Sequence, residues 1–452
     1  MKFAEQNFVV VGAGQSGRAA AGLLRAQGAE VILNDAKPRS SFGDELIPLE
    51  AAGVKLVFGG HPASAFNEAS DIVLSPGVPP LAVVQEAEAG GANVHSEVEL
   101  ASWFFQGQVV AITGTNGKST VTTMIAEILR DTGDGVFAGG NLGTPLVSAV
   151  GSAAANPGGV VVAELSSFQL ERVTSFRPDV AVLLNVTPDH MDRYDDFQHY
   201  ARTKARIFGQ QTPADYAIVP HGDPLCAQLA SRTDARVCTF GEGDEPFVGV
   251  MDDHIRGPNG FRMALANLNL VGRHNHLNAC AAVAAVLALG VSPNRIIDGL
   301  ARFQGLPHRV ERVAVVDGVT YVDDSKATNV AAAAAAVRGI AGSFAGVWLI
   351  AGGRDKGGSY AELIEALTSC GQGVVAFGES GDLIEAAFSG SGTPVHRAKD
   401  MTDAVTWLAK SAKPGSAVLL APACSSYDMY RSYIERGLDF QAQVLALGGA
   451  AL

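Results

Sequence analysis

Short apolar runs recur along the chain, and most of them end at a glycine, an acidic residue or a hydroxyl residue. The run at 109–113 (VVAIT) reads as a buried strand, and it enters Gly114-Thr-Asn-Gly-Lys-Ser-Thr120 before a stretch of helical character. Comparable runs stand at 8–11, 31–34, 72–74, 160–163, 180–184, 321–322, 347–350, 374–378 and 418–422. Helical patterns fill 18–27, 197–208, 279–289 and the stretch from about 330. Near-continuous apolar strands separated by helices predict an α/β protein built on open parallel sheets.

In such sheets ligands lie beyond the carboxyl ends of the strands, so the residues that end each run carry the candidate chemistry. Residues 114–120 form a glycine-rich turn between a strand and a helix N-terminus, a geometry that directs backbone N–H groups at phosphate oxygens. Lys118 would reach the outer phosphates, and the hydroxyl of Ser119 or Thr120 would hold Mg²⁺. The loop departs from the general nucleotide-triphosphate pattern at Ile112, where that pattern has glycine. Gly12-Ala-Gly14-Gln15-Ser16-Gly17, with Asp35 downstream, is a dinucleotide-type fingerprint; it states only that a diphosphate fits, NAD being one choice. The turn Ser75-Pro-Gly77-Val-Pro79 either faces the same crevice or simply connects elements. Glu164, at the end of the run 160–163, is placed to hold a metal, and His190 lies in a polar cluster that follows 180–184. Lys204 sits in a helical stretch where spacing alone does not single it out. His274 and His276 lack a carboxylate at ligand spacing, which excludes a zinc site there. Asn275 and Asn278 suit either a base or ribose, or the capping of the helix that follows. Lys326, Thr328, Lys356, Ser425 and Ser426 fall at strand ends and predict a site for an anionic partner.

A length of 452 residues suggests about three domains. The pattern changes near 96–105 and again near 305, and boundaries are expected there. With 47% hydrophobic and 17% charged residues the chain can bury large cores. The net charge of -13, with no dense basic run, argues against a nucleic-acid partner. Five cysteines, widely spaced and without a C-x-x-C pair, read as reduced thiols of a cytoplasmic protein. The longest apolar runs are too short to span a bilayer, and no signal-peptide pattern opens the chain, so no membrane insertion is expected.

The motifs TGTNGKST (113–120), ELSSFQLE (164–171), LNVTPDHMDRY (184–194), GRHNHLNA (272–279), GLPHR (305–309), DDSKATN (323–329), GGRDKGG (352–358) and ACSSYD (423–428) resemble those of the Mur ligases of bacterial peptidoglycan synthesis. That family shares the missing glycine at 112. ELSSFQLE and DSKATN, and the lack of a DNPR-like signature, favour the branch that uses D-glutamate.

The resemblance implies three domains: residues 1–98, Rossmann-like, binding the UDP substrate; 99–304, a central mononucleotide-binding P-loop domain for ATP; and 305–452, Rossmann-like, binding D-glutamate and closing on ATP. It implies that the carboxylate of UDP-N-acetylmuramoyl-L-alanine attacks the γ-phosphate of ATP, and that the D-glutamate amine displaces phosphate from the resulting acyl phosphate. It assigns ATP to Gly114, Thr115, Asn116, Gly117, Lys118, Ser119, Thr120, Asn278, Arg309 and Asp324. The UDP substrate falls to Gly14, Gln15, Ser16, Gly17, Asp35, Ser75, Gly77 and Asn141, and D-glutamate to Lys326, Thr328, Lys356, Ser426 and Tyr433, the last usually Phe in relatives. Mg²⁺ falls to Ser119 or Thr120 with Glu164, to His190, and to Lys204 as a carbamate; Lys118, Glu164, His190 and Lys204 are the implied catalytic set. A cytoplasmic monomer is expected. Two competing readings are a nicotinamide oxidoreductase, which leaves TGTNGKST unexplained, and a P-loop switch, which would hydrolyse ATP without an amino acid. Within amide-forming relatives, the competitors are an L-alanine ligase and a folylpolyglutamate synthase.

Overall fold

The structure, a computed structural model, describes residues 3–130, 135–191, 193–270, 272–448 and 450–451. Three sheets carry it. The first is five-stranded and parallel, in the spatial order Lys55–Phe58, Glu30–Asp35, Asn7–Val11, Asp71–Leu74, Asn93–Ser96. Chain direction reverses across the sheet at Asn7–Val11, which makes the end of that strand a topological switch point.

In the nine-stranded second sheet, Gln108–Thr113 lies between Val160–Glu164 and Val180–Leu183, parallel to both. Val136–Gly140 closes one edge, and Tyr216–Pro220, Arg236–Glu242 and Val248–Met251 extend the other before an antiparallel meander, His254–Arg256 and Arg262–Ala264. The first and second sheets belong to one compact unit, residues 1–265 with 277–302, and share a core in which Phe8, Val10 and Leu33 join Val109, Ala111, Val161 and Leu183. The predicted boundary near 96–105 is not a loose linker. It contains the helix Glu97–Ser102, whose first five residues are buried.

The second compact unit, residues 266–276 with 303–452, carries a seven-stranded sheet. Its parallel strands Val319–Asp323, Ala417–Leu420, Val347–Gly352, Gly371–Phe377 and Val395–Arg397 lie in that order, and Glu311–Val316 pairs antiparallel at one side.

Three expectations need correction. The helix expected at 279–289 begins at Arg273, so His274, Asn275, His276 and Asn278 lie on its first turns and not in a loop before it. The stretch 197–208 is helix only over Phe197–Ala205 and tightens to a 3₁₀ turn at Arg206–Phe208. Glu164 is the last residue of its strand, not the first after it.

Candidate active site

Buried Val121, Met124, Ile125 and Ile128 anchor the helix Lys118–Leu129 to the sheet at helical spacing. Gly117 caps it in the left-handed region, φ 85°, and a Cβ there would lie 2.5 Å from the amide oxygen of Asn278. Only glycine makes that turn without strain and admits Asn278 so close. Asn278 therefore stands against the phosphate loop, where the sequence motif alone left ligand binding and capping open.

Two loop amides that the motif assigns to phosphate are otherwise engaged. Thr115 N–H donates to the backbone and side-chain oxygens of Asn185, and Asn116 N–H donates to the same side chain at 2.9 Å. Asn185 Nδ2 donates back to Asn116 O. The reason is register: Leu184 N–H continues the ladder onto Thr113 O, which brings the next residue, Asn185, over the loop. Thr115 Oγ1 is further tied to the backbone of Thr187 and lies 3.1 Å from the Tyr200 hydroxyl. Asn185 and Tyr200 were not singled out from sequence, although Asn185 stands inside the LNVTPDHMDRY segment.

Lys118 Nζ turns back and donates to Gly114 O and Thr115 O, both at 2.9 Å. Lys204, buried on the helix Phe197–Ala205, donates to the same Gly114 O at 2.8 Å, with its ammonium 4.7 Å from the centre of the Tyr200 ring. Burial, reinforced by the nearby Lys118 charge and opposed by Asp189, holds Lys204 well below the usual lysine range. A neutral amine is the form that adds CO₂.

On the other flank, Glu164 pairs in register with Ile112, and Leu165 accepts from the Thr113 hydroxyl. The Glu164 carboxylate is buried; Oε1 accepts from Asn141 Nδ2 at 2.6 Å, and Oε2 has no partner among the described residues. An orphaned, buried carboxylate oxygen beside a phosphate loop is the donor type a hard divalent cation takes, so the residues fit Mg²⁺. Asn141, expected to contact the UDP substrate, is held against Glu164 by that bond and by its own N–H to Glu164 O. His190 adopts φ 57° and packs its ring 4.8 Å from Phe168; Asp192 lies outside the described residues.

At the switch point of the first sheet, Gly12 adopts φ 92° and its carbonyl accepts from the Ser75 hydroxyl. A Cβ on Gly17 would lie 1.7 Å from that carbonyl oxygen. Gly14 precedes the helix Gln15–Ala26, so Gln15 and Ser16 form its N-terminus, where an anion is favoured. Both Asp35 carboxylate oxygens accept backbone N–H groups, from Ala13 at 2.7 Å and Lys37 at 2.8 Å. Gly77 is exposed at the neighbouring turn. Beside it, Arg193 forks onto Glu171 at 2.7 and 2.9 Å and donates to Val78 O, linking the first domain's turn to the central ELSSFQLE segment.

In the second unit, Asp324 is buried and its carboxyl is pushed up to about 7 by burial, against the pull of Arg309. Lys326 Nζ lies 3.9 Å above the Tyr433 ring. Thr328 is half-buried, Lys356 exposed and Ser426 buried. His308, Glu311 and Asp323 cluster at ligand separation, but hydrogen bonds already join them: His308 to Asp323 at 2.7 Å, its N–H to Glu311, and Gln441 to both carboxylates.

Models described as Mur ligase MurD-like, N-terminal domain, Mur ligase middle domain, and Mur ligase, glutamate ligase domain match residues 6–96, 112–286 and 308–424. The chain is 42% identical over 453 residues, 98% of each chain, to a protein of Pelotomaculum thermopropionicum named UDP-N-acetylmuramoylalanine--D-glutamate ligase. A protein of Geotalea daltonii with the same name is 41% identical over 456 residues, 99% of each chain. Among solved structures, a pseudomurein peptide ligase type C from Methanothermus fervidus superposes with a TM-score of 0.61 at 20% identity, covering 98% of this chain and 99% of that one; the likeness is one of fold. With all three domain models matched and relatives of this identity aligned over nearly its whole length, the chain belongs to the Mur ligase family.

Proposed function

We propose that this enzyme joins D-glutamate to UDP-N-acetylmuramoyl-L-alanine at the expense of ATP, as the names of its relatives indicate, and that it does so as a cytoplasmic monomer in peptidoglycan synthesis. No helix among the described residues is long and apolar enough to cross a membrane. The single observation that carries the catalytic reading is the convergence of Lys118 and Lys204 on one phosphate-loop carbonyl, with buried Glu164 on the adjacent strand.

The physical task is to bring a substrate carboxylate onto a triphosphate, so charge must be neutralised. Lys118 swings from the loop carbonyls onto the outer phosphates, while the helix N-terminus, from Gly117 to Ser119 and Thr120, meets them with its partial positive charge. Asn185 keeps the loop in shape. Bound Mg²⁺ supplies a Lewis acid that draws charge from the γ-phosphate. Glu164, Ser119 or Thr120, His190 and Lys204 as a carbamate are the residues that would hold it. Neutral Lys204 takes up CO₂, releases a proton and becomes an anion, which places a negative charge beside Lys118. In the second unit Asn278's counterparts for the nucleotide are Arg309 and Asp324, and Lys326, Thr328, Lys356, Ser426 and Tyr433 take D-glutamate. The D-glutamate amine attacks the acyl carbon and phosphate leaves. Gly14, Gln15, Ser16, Gly17, Asp35, Ser75, Gly77 and Asn141 take the UDP substrate, and the functional domains run over 1–98, 99–304 and 305–452, the last closing on ATP.

Phosphate release tests the reading, measured with UDP-N-acetylmuramoyl-L-alanine and ATP and each candidate amino acid in turn. Release with D-glutamate alone is expected. Release with L-alanine or a diamino acid in its place overturns the specificity, and release without any amino acid favours a switch.

A further inference from the structure

Arg436 has no exposed surface and, among the described residues, no carboxylate partner in an ion pair. Its guanidinium instead spends its donors on one side-chain oxygen and three backbone carbonyls. Nε donates to Ser325 Oγ at 3.0 Å, Nη2 to Ser325 O at 2.8 Å, and Nη1 to Cys424 O at 3.1 Å and Gly352 O at 3.3 Å. Those three residues lie at or just beyond the ends of three neighbouring parallel strands, Val319–Asp323, Ala417–Leu420 and Val347–Gly352. Asp323 and Asp428 act on this charge only through space, and a buried cation without a bonded carboxylate is costly, so its presence calls for a role that an apolar side chain could not fill.

The three anchored loops are the ones that carry Lys326, Ser426 and Lys356. Ser325 precedes Lys326, Cys424 stands two positions before Ser426, and Gly352 opens the GGRDKGG turn. The Ser325 hydroxyl also donates to Tyr433 O at 2.8 Å, which ties the start of the helix Tyr433–Ala446 to the same point. Close packing leaves the hub no slack. A Cβ on Gly353 would lie 2.2 Å from Ser425 O and 3.1 Å from Arg436 Nη1.

We propose that Arg436 is the positioning residue of the amino-acid pocket: its rigid fork sets the spacing of the three loops, and its positive charge beneath them favours an amino acid that carries two carboxylates. This rests on the D-glutamate reading of Lys326, Thr328, Lys356 and Ser426. A lysine has one point-like donor group and cannot reproduce a planar fork across three carbonyls.

The test is steady-state phosphate release by the full chain with Arg436→Lys, Arg436→Met and Ser325→Ala, varying each substrate separately. The KM for D-glutamate should rise about tenfold in Arg436→Lys and more in Arg436→Met, with KM for ATP and for the UDP substrate within about twofold of wild type. Ser325→Ala, which removes one acceptor and keeps the cation, should raise the D-glutamate KM several-fold; it carries the test if the Arg436 variants are insoluble. Guanidinium ion at millimolar concentration should lower the D-glutamate KM of Arg436→Met. An unchanged D-glutamate KM in soluble variants overturns the proposal, as does a parallel loss of all three KM values with kcat. Should the wild-type enzyme use another amino acid, the D-glutamate reading falls, and the same comparison is made on the KM for that amino acid.

Discussion

Lys118 and Lys204 donate to one oxygen, the carbonyl of Gly114, at 2.9 and 2.8 Å. Burial, reinforced by the Lys118 charge on the same acceptor, disfavours the charged form of Lys204. Lys204→Ala is expected to lose most phosphate release, and a small carboxylic acid such as formate or acetate should restore part of it by replacing the carbamate. A fully active Lys204→Ala enzyme removes the carbamate from the mechanism.

Among the described residues Glu164 Oε2 lacks a partner, and its carboxylate accepts one side-chain hydrogen bond, from Asn141. Glu164→Gln should raise the Mg²⁺ concentration needed for half-maximal phosphate release by about tenfold or more. Chelation of Mg²⁺ should abolish release by the wild-type enzyme, and titration of Mg²⁺ into each protein checks both.

Gly117 turns the chain at φ 85° against Asn278. Gly117→Ala should cost about 1–2 kcal/mol for the left-handed backbone alone, and it should also displace Asn278 and raise the KM for ATP. Thermal unfolding and ATP-dependent kinetics read the two effects separately. An unchanged melting temperature would show that the turn relaxes freely.

Glu97 begins the buried helix between the first two sheets, and its carboxylate accepts from Val147 N–H at 2.7 Å while Oε2 has no partner among the described residues. Burial, opposed by the backbone N–H groups of Val147 and Leu146, pushes its carboxyl up to about 7 from an ordinary 4.5. Between those values the folded chain binds more protons than the unfolded chain. This group's contribution to stability is therefore greatest below 4.5, falls as pH rises toward 7, and is lowest above it. Glu97→Gln, compared with wild type at the same pH, should gain about 2 kcal/mol more at pH 8 than at pH 5. Denaturant unfolding at the two pH values decides it, and an equal effect at both would place the ionised carboxylate in a better-solvated setting.

The chain's local patterns determined the α/β class, the glycine-rich turn at 114–120 before a helix and the place of Glu164 at a strand end, because an apolar run, a glycine turn and a capping position are set by neighbours a few residues apart. The start of the helix at Arg273 was hidden because polar residues there lie on its first turns. Lys204 reads in the sequence like any helix lysine; its bond to Gly114, 90 residues away, exists only in the fold. Asn185 was visible as a motif letter, but its grip on Thr115 and Asn116 follows from the register of adjacent strands. Arg436 gave no local signal at all, since its acceptors include Ser325, 111 residues distant. Only the tertiary structure decided which side chains share an oxygen or a buried fork, because those contacts come from strand order and helix packing, and neither leaves a period in the sequence.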